Sequence, residues 1–308
     1  MSLPRQILKG TSYLLTRRTA RRQFFLKPSP RVNQIFLYCL AYATMRTGMW
    51  IHGFCVMSNH HHVVLTDPEG RLPEFTALLH RLVACCLKCV LNIEENVWSN
   101  EQASHVALQG DEDVLDKYLY TLCNSVKALL VTTSSDWPGL CSSPIDILRG
   151  EIEVERPDVF FGERSRMPKK IKLKLVRPLI YQEQTDEELV KMMEQGLEER
   201  EIEIRAEAKR QKKSFMGVRR VLNQNPLDRP SSPRTKGEIN PQIAAKNKWR
   251  RIEALRRLQS WHRAYREAWK EWKAGKRDVE FPPGTYALVR HAGAHCVQID
   301  VGCLKSTG

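Results

Sequence analysis

The chain has 308 residues, of which 42% are hydrophobic, and it carries a formal net charge of +14 at pH 7. This length is typical of one large domain or of a domain with an extension, and the apolar share is sufficient for a buried core. The charge favours a polyanionic partner, such as nucleic acid or anionic lipid, over an inert basic surface.

The sequence contains no run that approaches the ~20 apolar residues of a membrane span. Residues 1–9 are not followed by the apolar segment of a signal peptide, so we expect none. The nine cysteines are an odd number without regular spacing, which predicts free thiols in a reducing cytoplasm. Cys86 and Cys89 form a C-x-x-C pattern, but it lies in an apolar predicted helix and indicates buried thiols.

Seven elements are predicted in the first 131 residues from the spacing of apolar side chains. In chain order they are a strand at 11–18, a helix at 31–47, strands at 50–57 and 60–66, a helix at 72–92, a strand at 104–108 and a helix at 111–131. This order is typical of a split βαβ, ferredoxin-like fold of the α+β class. We expect an antiparallel sheet with helices on one face, plus a mostly helical C-terminal extension.

The composition changes near residue 150, where the compact domain (1–150) is predicted to end. Residues 151–222 are predicted to form a basic and charged helical extension, and the proline-rich residues 223–241 a linker. Residues 242–308 are predicted to form a basic amphipathic helix, at 243–276, and a short terminal strand unit. The apolar face of that helix is expected to pack on the main domain or on a partner, and its arginine-rich face fits either solvent or a phosphate backbone.

Three consecutive histidines lie inside the strand predicted at 60–66. Side chains of a strand alternate between its two faces, so His60 and His62 point one way and His61 the other. Two neutral imidazoles at this spacing can share a divalent metal ion. The alternative interpretation is that they are structural histidines of the core. A zinc site is disfavoured, because no Cys or Asp with suitable spacing lies nearby.

Tyr120 and Asn124 are four residues apart and so lie on one face of the helix predicted at 111–131. Tyr118 lies on a different face and lacks that relation to Asn124, which makes Tyr120 the better candidate nucleophile. A phosphodiester resists attack until its charge is neutralised, which a metal ion can do. A tyrosine can then attack phosphorus and form a covalent phosphotyrosine.

Two motifs resemble those of the HUH single-tyrosine transposases, of the REP-associated and insertion-sequence type. The segment from Cys55 to Leu65, CVMSNHHHVVL, is similar to that family's histidine–hydrophobic–histidine signature, and the segment from Tyr120 to Ala128, YTLCNSVKA, to its tyrosine helix. Trp98, the Trp137-Pro138 pair and the first strand also match landmarks of the family. The resemblance covers about the first 150 residues, and the two motifs are specific together rather than singly.

The resemblance implies a DNA transposase that acts as a single-stranded DNA endonuclease and strand-transferase. His60 and His62 would bind Mg²⁺ or Mn²⁺, with Asn124 completing the metal shell. Tyr120 would attack the scissile phosphate, leaving a 5′-phosphotyrosine and a free 3′-hydroxyl, with no cofactor besides the metal. The protein would be associated with the nucleoid when it is on DNA, either as a homodimer with shared sites or as a monomer that acts in cis.

A basic cluster near the end of the first strand is the predicted phosphate-binding surface for single-stranded or hairpin DNA. It comprises Arg17, Arg18, Arg21 and Arg22, and Lys127 of the tyrosine helix is added to it.

The chain departs from the family pattern at four positions. His61 takes the place of a bulky apolar residue, Ser58 and Ser125 take the places of prolines, and Lys127 that of an arginine. Lys127 keeps the charge but loses bidentate phosphate recognition.

Two further functions are compatible with the same elements. A ferredoxin-like sheet is also the frame of non-catalytic nucleic-acid-binding proteins, which need no histidine–tyrosine set. A metal-dependent hydrolase, in which water attacks in place of the tyrosine, would use the same metal ligands.

Overall fold

The computed structural model describes residues 4–179, 181–232 and 241–297, within which nine strands and nine α-helices form. The strands are β1 Thr11–Arg18, β2 Trp50–Met57, β3 His60–Asp67, β4 Ser104–Leu108, β5 Glu151–Glu155, β6 Lys170–Lys174, β7 Ile243–Ala244, β8 Glu280–Phe281 and β9 His295–Cys296. The helices are α1 Pro30–Thr47, α2 Leu72–Leu91, α3 Asp111–Leu122, α4 Asn124–Lys127, α5 Asp146–Arg149, α6 Asp186–Arg210, α7 Val218–Leu222, α8 Lys248–Lys273 and α9 Ala287–Ala292.

The main sheet has the strand order β2-β3-β1-β4-β7. The first four strands pair antiparallel, and β7 pairs parallel with β4 at the edge. The α+β class is therefore confirmed, and the first seven elements occur in the predicted order. The prediction of an antiparallel sheet holds for the first four strands only, because the parallel strand β7 makes the sheet mixed.

The parallel strand β7 corrects the helix predicted at 243–276. Ile243 and Ala244 pair with Ala107 and Leu108 of β4, and the helix begins only at Lys248. The Asn247 side chain accepts hydrogen bonds from the first backbone N–H groups of α8 and so fixes its start.

Helices cover both faces of the sheet, and the prediction that they lie on one face is wrong. Leu15 and Val63 pack with α1 and α2 in the larger core, whereas Leu14 and Val64 pack with α3 and α6. Neighbouring residues of a strand face opposite ways, so a strand that is apolar at consecutive positions needs cover on both sides. The extension contributes α6 to the second layer.

The helix predicted at 111–131 is also shorter than expected. α3 ends at Leu122, Cys123 leaves the helical region with φ −82° and ψ 10°, and α4 follows as a single turn from Asn124. Tyr120 and Asn124 thus belong to two helices joined by a bend.

Residues 151–222 are only partly helical, which corrects the helical extension predicted there. They begin with the antiparallel hairpin of β5 and β6, where Glu and Lys alternate with buried Val154, Ile171 and Leu173. These apolar residues join the core beneath α1, so this part of the chain packs on the first domain. The division of the chain into domains stays a prediction.

The later segments are described in part. Residues 233–240 of the predicted linker and 298–308 of the terminal unit lie outside the described residues. Aromatic side chains of α8, including Tyr265 and Trp272, pack against Phe281 of β8, so the apolar face of this helix is covered by the terminal unit. The cysteines between 4 and 297 are free thiols. No helix in the described ranges is apolar enough over sufficient length to cross a membrane.

Gly53 of β2 lies against Tyr118 of α3, and we expect Gly53→Ala to destabilise the fold. A Cβ at Gly53 would lie 2.7 Å from Tyr118 Cε2 and 3.2 Å from Ser142 Oγ. Because Tyr118 is fully buried, the overlap should lower the free energy of unfolding by about 1–3 kcal/mol in urea denaturation. Gly162→Ala is the control, since its Cβ would contact no described atom within 4 Å. Equal effects of the two substitutions would contradict this packing.

Acid is expected to destabilise the protein, because its core histidines are buried and neutral. Burial lowers the pKa of His52 to about 4 and holds the pKa of His80 well below its ordinary value. Histidines of the unfolded chain titrate with a pKa near 6.5, so between pH 6.5 and 4 the unfolded state binds more protons. The stabilising contribution of the neutral histidines is complete above pH 6.5 and is lost as the pH falls toward 4, by about 2 kcal/mol for His52 at pH 5. Urea unfolding at pH 7 and pH 5 measures this loss, and an unchanged free energy of unfolding would refute it.

Candidate active site

The histidines of β3 are divided between the two faces of the sheet, as strand alternation predicts. His60 and His62 face α3, with ring centroids 5.0 Å apart and ring planes at 86°. His61 faces α2, where its Nε2 lies 2.9 Å from Nε2 of His80 and its ring packs against Trp98. His61 is therefore part of the core layer on the other face of β3 from His60 and His62.

Hydrogen bonds at Nδ1 orient both rings of the pair. Nδ1 of His60 lies 2.7 Å from Asn59 Oδ1, and Nδ1 of His62 lies 2.8 Å from Thr16 Oγ1. A metal-bound histidine uses one ring nitrogen as a ligand and donates the other N–H to a neighbouring group. The two Nδ1 contacts thus leave Nε2 of each ring as the nitrogen for a ligand.

Asn124 joins the pair from α4. Its Oδ1 lies 3.3 Å from Nε2 of His60, and the side chain is buried. The bend at Cys123 turns this residue toward the sheet, so that the first residue of α4 reaches a ring held on β3.

The electrostatics around His60 fit a cation between Nε2 of His60 and Oδ1 of Asn124. Burial and the Arg18 charge lower the pKa of His60 to about 4, despite the hydrogen bond to Asn124, and burial also lowers the pKa of His62. A neutral His60 has one N–H but faces two amide oxygens, those of Asn59 and Asn124. If Nδ1–H donates to Asn59, a lone pair of Nε2 faces a lone pair of Oδ1, and a cation between them would turn this repulsion into coordination.

The donor set consists of two imidazole nitrogens and one amide oxygen. Among the described residues, no three His, Cys, Asp or Glu side chains form a metal-binding group, so a third protein donor beside the two imidazoles would have to be this amide. Such a set fits a divalent ion that keeps several water ligands. Imidazole nitrogen is softer than the oxygen ligands that Mg²⁺ prefers, so the set suits Mn²⁺ better than Mg²⁺.

The Tyr120 ring contacts the imidazole pair. Its ring centroid lies 5.5 Å from that of His62, and the Lys127 ammonium lies 4.6 Å from the centre of the Tyr120 ring. Tyr118 is fully buried, its hydroxyl has no hydrogen-bond partner, and burial raises its pKa strongly. Of the two tyrosines, only Tyr120 can present its hydroxyl to a substrate beside the histidines.

The predicted arginine cluster is split by the same alternation. Arg18 pairs in register with His60 and is exposed, whereas Arg17 pairs with His61 and faces the opposite layer. The Arg17 guanidinium lies 3.1 Å from Nδ1 of His80 and 5.6 Å from the centre of the Trp98 ring. The placement of Arg17 on one phosphate-binding surface with Arg18 is therefore wrong.

The other two arginines of that cluster follow β1 in a short 3₁₀ helix at Ala20–Arg22. Arg21 is exposed, and Arg22 donates to the carbonyl and hydroxyl oxygens of Ser232 at 2.8 and 2.9 Å. With Arg18 they line a cavity of about 380 Å³ that also contains Arg229. This surface is basic and adjoins the strand that carries the imidazole pair.

A cleft of about 680 Å³ between α3 and α6 borders Tyr120, and no motif of the sequence indicates it. Asp116 in its wall binds three cations: Arg200 at 2.6 Å, Lys117 at 2.9 Å and Lys246 at 3.5 Å. Burial would raise the pKa of Asp116, but hydrogen bonds from Lys117 and Arg200, with their charges, lower it to about 2. Arg200 and Lys246 belong to distant segments that look like solvated charged helix in the sequence, so no local signal could have found them.

Comparisons with known proteins find distant similarity to solved structures. No protein-family model matches the sequence, and no curated protein matches it. Among solved structures, one of a REP-associated tyrosine transposase bound to a REP hairpin is similar, with 18% identity and a TM-score of 0.41 over 56% of this chain and 98% of that chain. A candidate transposase from Deinococcus radiodurans R1 has 19% identity and a TM-score of 0.27 over 34% of this chain and 85% of that one. Both TM-scores are below 0.5, so neither likeness assigns an activity to this chain.

Proposed function

We propose that this chain is a transposase-like enzyme that nicks and rejoins single-stranded DNA, with Tyr120 as its nucleophile and a divalent metal ion. The observation that carries the proposal is the meeting of His60, His62, Asn124 and Tyr120 at one place. These residues come from β3, α3 and α4, and DNA binding alone requires no such group.

The chemistry is phosphoryl transfer to a phenol. Oη of Tyr120 forms a bond to phosphorus, the bond from phosphorus to the 3′-oxygen breaks, and the phenolic proton is lost as the 3′-oxygen gains one. The products are a 5′-phosphotyrosine and a free 3′-hydroxyl. The reverse attack by a 3′-hydroxyl restores the phosphodiester and the phenol, so strands can be exchanged without a further energy source.

His60, His62 and Asn124 would hold Mn²⁺ or Mg²⁺. When bound, the ion supplies neutralisation of the phosphate charge and polarisation of a phosphoryl oxygen. Lys127, whose ammonium lies 4.6 Å from the centre of the Tyr120 ring, would contact the phosphate.

The DNA partner is proposed from the charge of the chain. The net charge is +14, and Arg18, Arg21 and Arg22 form a basic surface next to β3. Single-stranded or hairpin DNA fits this surface best, since a nicking tyrosine needs an accessible phosphodiester. We infer a ferredoxin-like first domain of the HUH type, because β1 to β4 alternate with α1 and α2 in the split βαβ order.

Tyr120 and the imidazole pair lie together within a single chain. This geometry supports a monomer that acts in cis, rather than a homodimer that exchanges its tyrosine helices.

A covalent-trapping experiment separates this function from its alternatives. The protein is incubated with end-labelled single-stranded DNA and Mn²⁺ and then denatured. We expect a DNA-linked protein band that depends on the metal ion. Cleavage without a covalent band would indicate a hydrolase that uses water, and binding without either product would indicate a non-catalytic nucleic-acid-binding protein.

A further inference from the structure

A second cavity, of about 570 Å³, lies on the side of the sheet opposite the imidazole pair. Its walls come from the N-terminal segment, α2, the start of β4, α8 and the loop before α9. His105 of β4 faces it together with Thr76 of α2, and Leu15, the partner of His105 in β1, packs in the core layer of α1 and α2. The cavity is therefore separated from Tyr120 by the sheet itself.

Two guanidinium groups line this cavity, and both are bonded to neutral groups. Arg5 donates to the Ala103 carbonyl and to Nδ1 of His105, and Arg17 donates to Nδ1 of His80. Nε of Arg17 is buried and has no partner. The described partners of both guanidinium groups are neutral, and burial lowers the pKa of both arginines, which still stay charged at pH 7.

The histidines cannot supply the missing negative charge. An arginine can only donate, so Nδ1 of His105 accepts from Arg5, and Nε2 of His105 donates to Thr76 Oγ1 at 3.1 Å. His105 is thus a neutral ring, and burial holds its pKa at about 3. Two partly buried cations whose described partners are all neutral are costly, and a bound anion would reduce that cost.

Aromatic rings form the opposite wall. Trp261 and Tyr265 of α8 lie with ring centroids 5.4 Å apart, and Tyr286 lies near the rim with its hydroxyl bonded to Glu74. Planar rings beside guanidinium groups are the chemistry that binds a nucleobase and its phosphate together. Glu101 also lines the cavity, but its side chain is exposed.

From these contacts we infer that the cavity is a second, non-catalytic site for a nucleotide, with Arg5 and Arg17 on the phosphate and the rings of α8 against the base. The volume of about 570 Å³ lies within the range of small-ligand sites. The nucleotide can be free or part of a DNA strand. The site depends on the C-terminal segment, since α8 supplies one of its walls.

The test is equilibrium binding of dAMP to the full chain, without metal, measured by calorimetry. We expect Arg5→Gln to weaken dAMP binding at least tenfold and Arg5→Lys to weaken it less. Arg263→Gln makes the same charge change on the exposed part of α8 and should bind like the wild type. Equal affinity of the wild type and Arg5→Gln, or no dAMP binding by the wild type, would overturn the inference.

Two further arms locate the ligand and its source. Tyr120→Phe should bind dAMP like the wild type, and a loss equal to that of Arg5→Gln would place the nucleotide at Tyr120 and overturn the inference. An unlabelled single-stranded oligonucleotide that displaces dAMP would identify DNA as the source, and additive binding would identify a free nucleotide. Because these arms measure no covalent product, failure of the tyrosine mechanism leaves their outcome unchanged.

Discussion

Replacing Tyr120 by Phe is expected to abolish the covalent protein–DNA complex while single-stranded DNA is still bound. The substitution removes only Oη, and the ring keeps its contacts with His62 and Lys127. Loss of a nucleophile typically lowers a rate by at least about three orders of magnitude. Denaturing gels with labelled DNA and Mn²⁺ measure the complex, and fluorescence anisotropy measures binding.

Tyr118→Phe is the matched control. Its hydroxyl is buried and unpaired, so its removal costs little and alters no group near the imidazole pair. The control should form the complex at near wild-type levels. A complex that persists in Tyr120→Phe but disappears in Tyr118→Phe would show that the nucleophile is assigned to the wrong residue.

His60→Ala and His62→Ala are each expected to remove cleavage and to weaken Mn²⁺ binding. Each substitution deletes one of three metal donors, and even partners outside the first coordination sphere cost 10- to 100-fold when removed, so we expect at least about a 100-fold loss. The rate of complex formation and a Mn²⁺ titration followed by electron paramagnetic resonance measure the two effects.

His61→Leu is the control for these substitutions. It acts on the other face of β3, where His61 contacts His80 and packs against Phe36 and Trp98. We expect a loss of stability of about 1–3 kcal/mol, because His80 loses a buried partner, with metal affinity retained in the folded protein. Equal loss of Mn²⁺ binding in all three variants would mean that the register of β3 is wrong.

Periodicity predicted the parts of the fold that are local. β1, β2 and β4 have the predicted bounds, and His60 and His62 lie on one face because a strand repeats every two residues. The same rule would have separated Arg17 from Arg18, since consecutive residues of a strand face opposite sides. The signal that separates Arg17 from Arg18 is therefore present in the sequence.

Other features depend on contacts between distant segments and had no local signal. β7 is two residues long and is specified by its pairing with Ala107 and Leu108 of β4. The bend at Cys123 occurs without Gly or Pro, and it is this bend that carries Asn124 to His60. The sequence does indicate helices on both faces of the sheet at two strands, because Leu14-Leu15 and Val63-Val64 are apolar at consecutive positions.

Residues of the C-terminal extension line both cavities through contacts between segments that are far apart in the sequence. Arg200 and Lys246 meet at Asp116, and Trp261 of α8 meets Arg5 across the second cavity. Charged and aromatic residues of long helices have many equally good candidate partners in a sequence. Which partner each residue contacts depends on how α6 and α8 pack on the rest of the protein.

Localising the DNA on the protein tests the central claim most directly. The wild type is incubated with single-stranded DNA and Mn²⁺, the DNA is trimmed by nucleases, and the peptide between Lys117 and Lys127 is sequenced by tandem mass spectrometry. We predict a nucleotide 5′-phosphate on Tyr120 and none on Tyr118. A modified peptide elsewhere in the chain, or cleaved DNA without any modified tyrosine, would contradict the proposed mechanism.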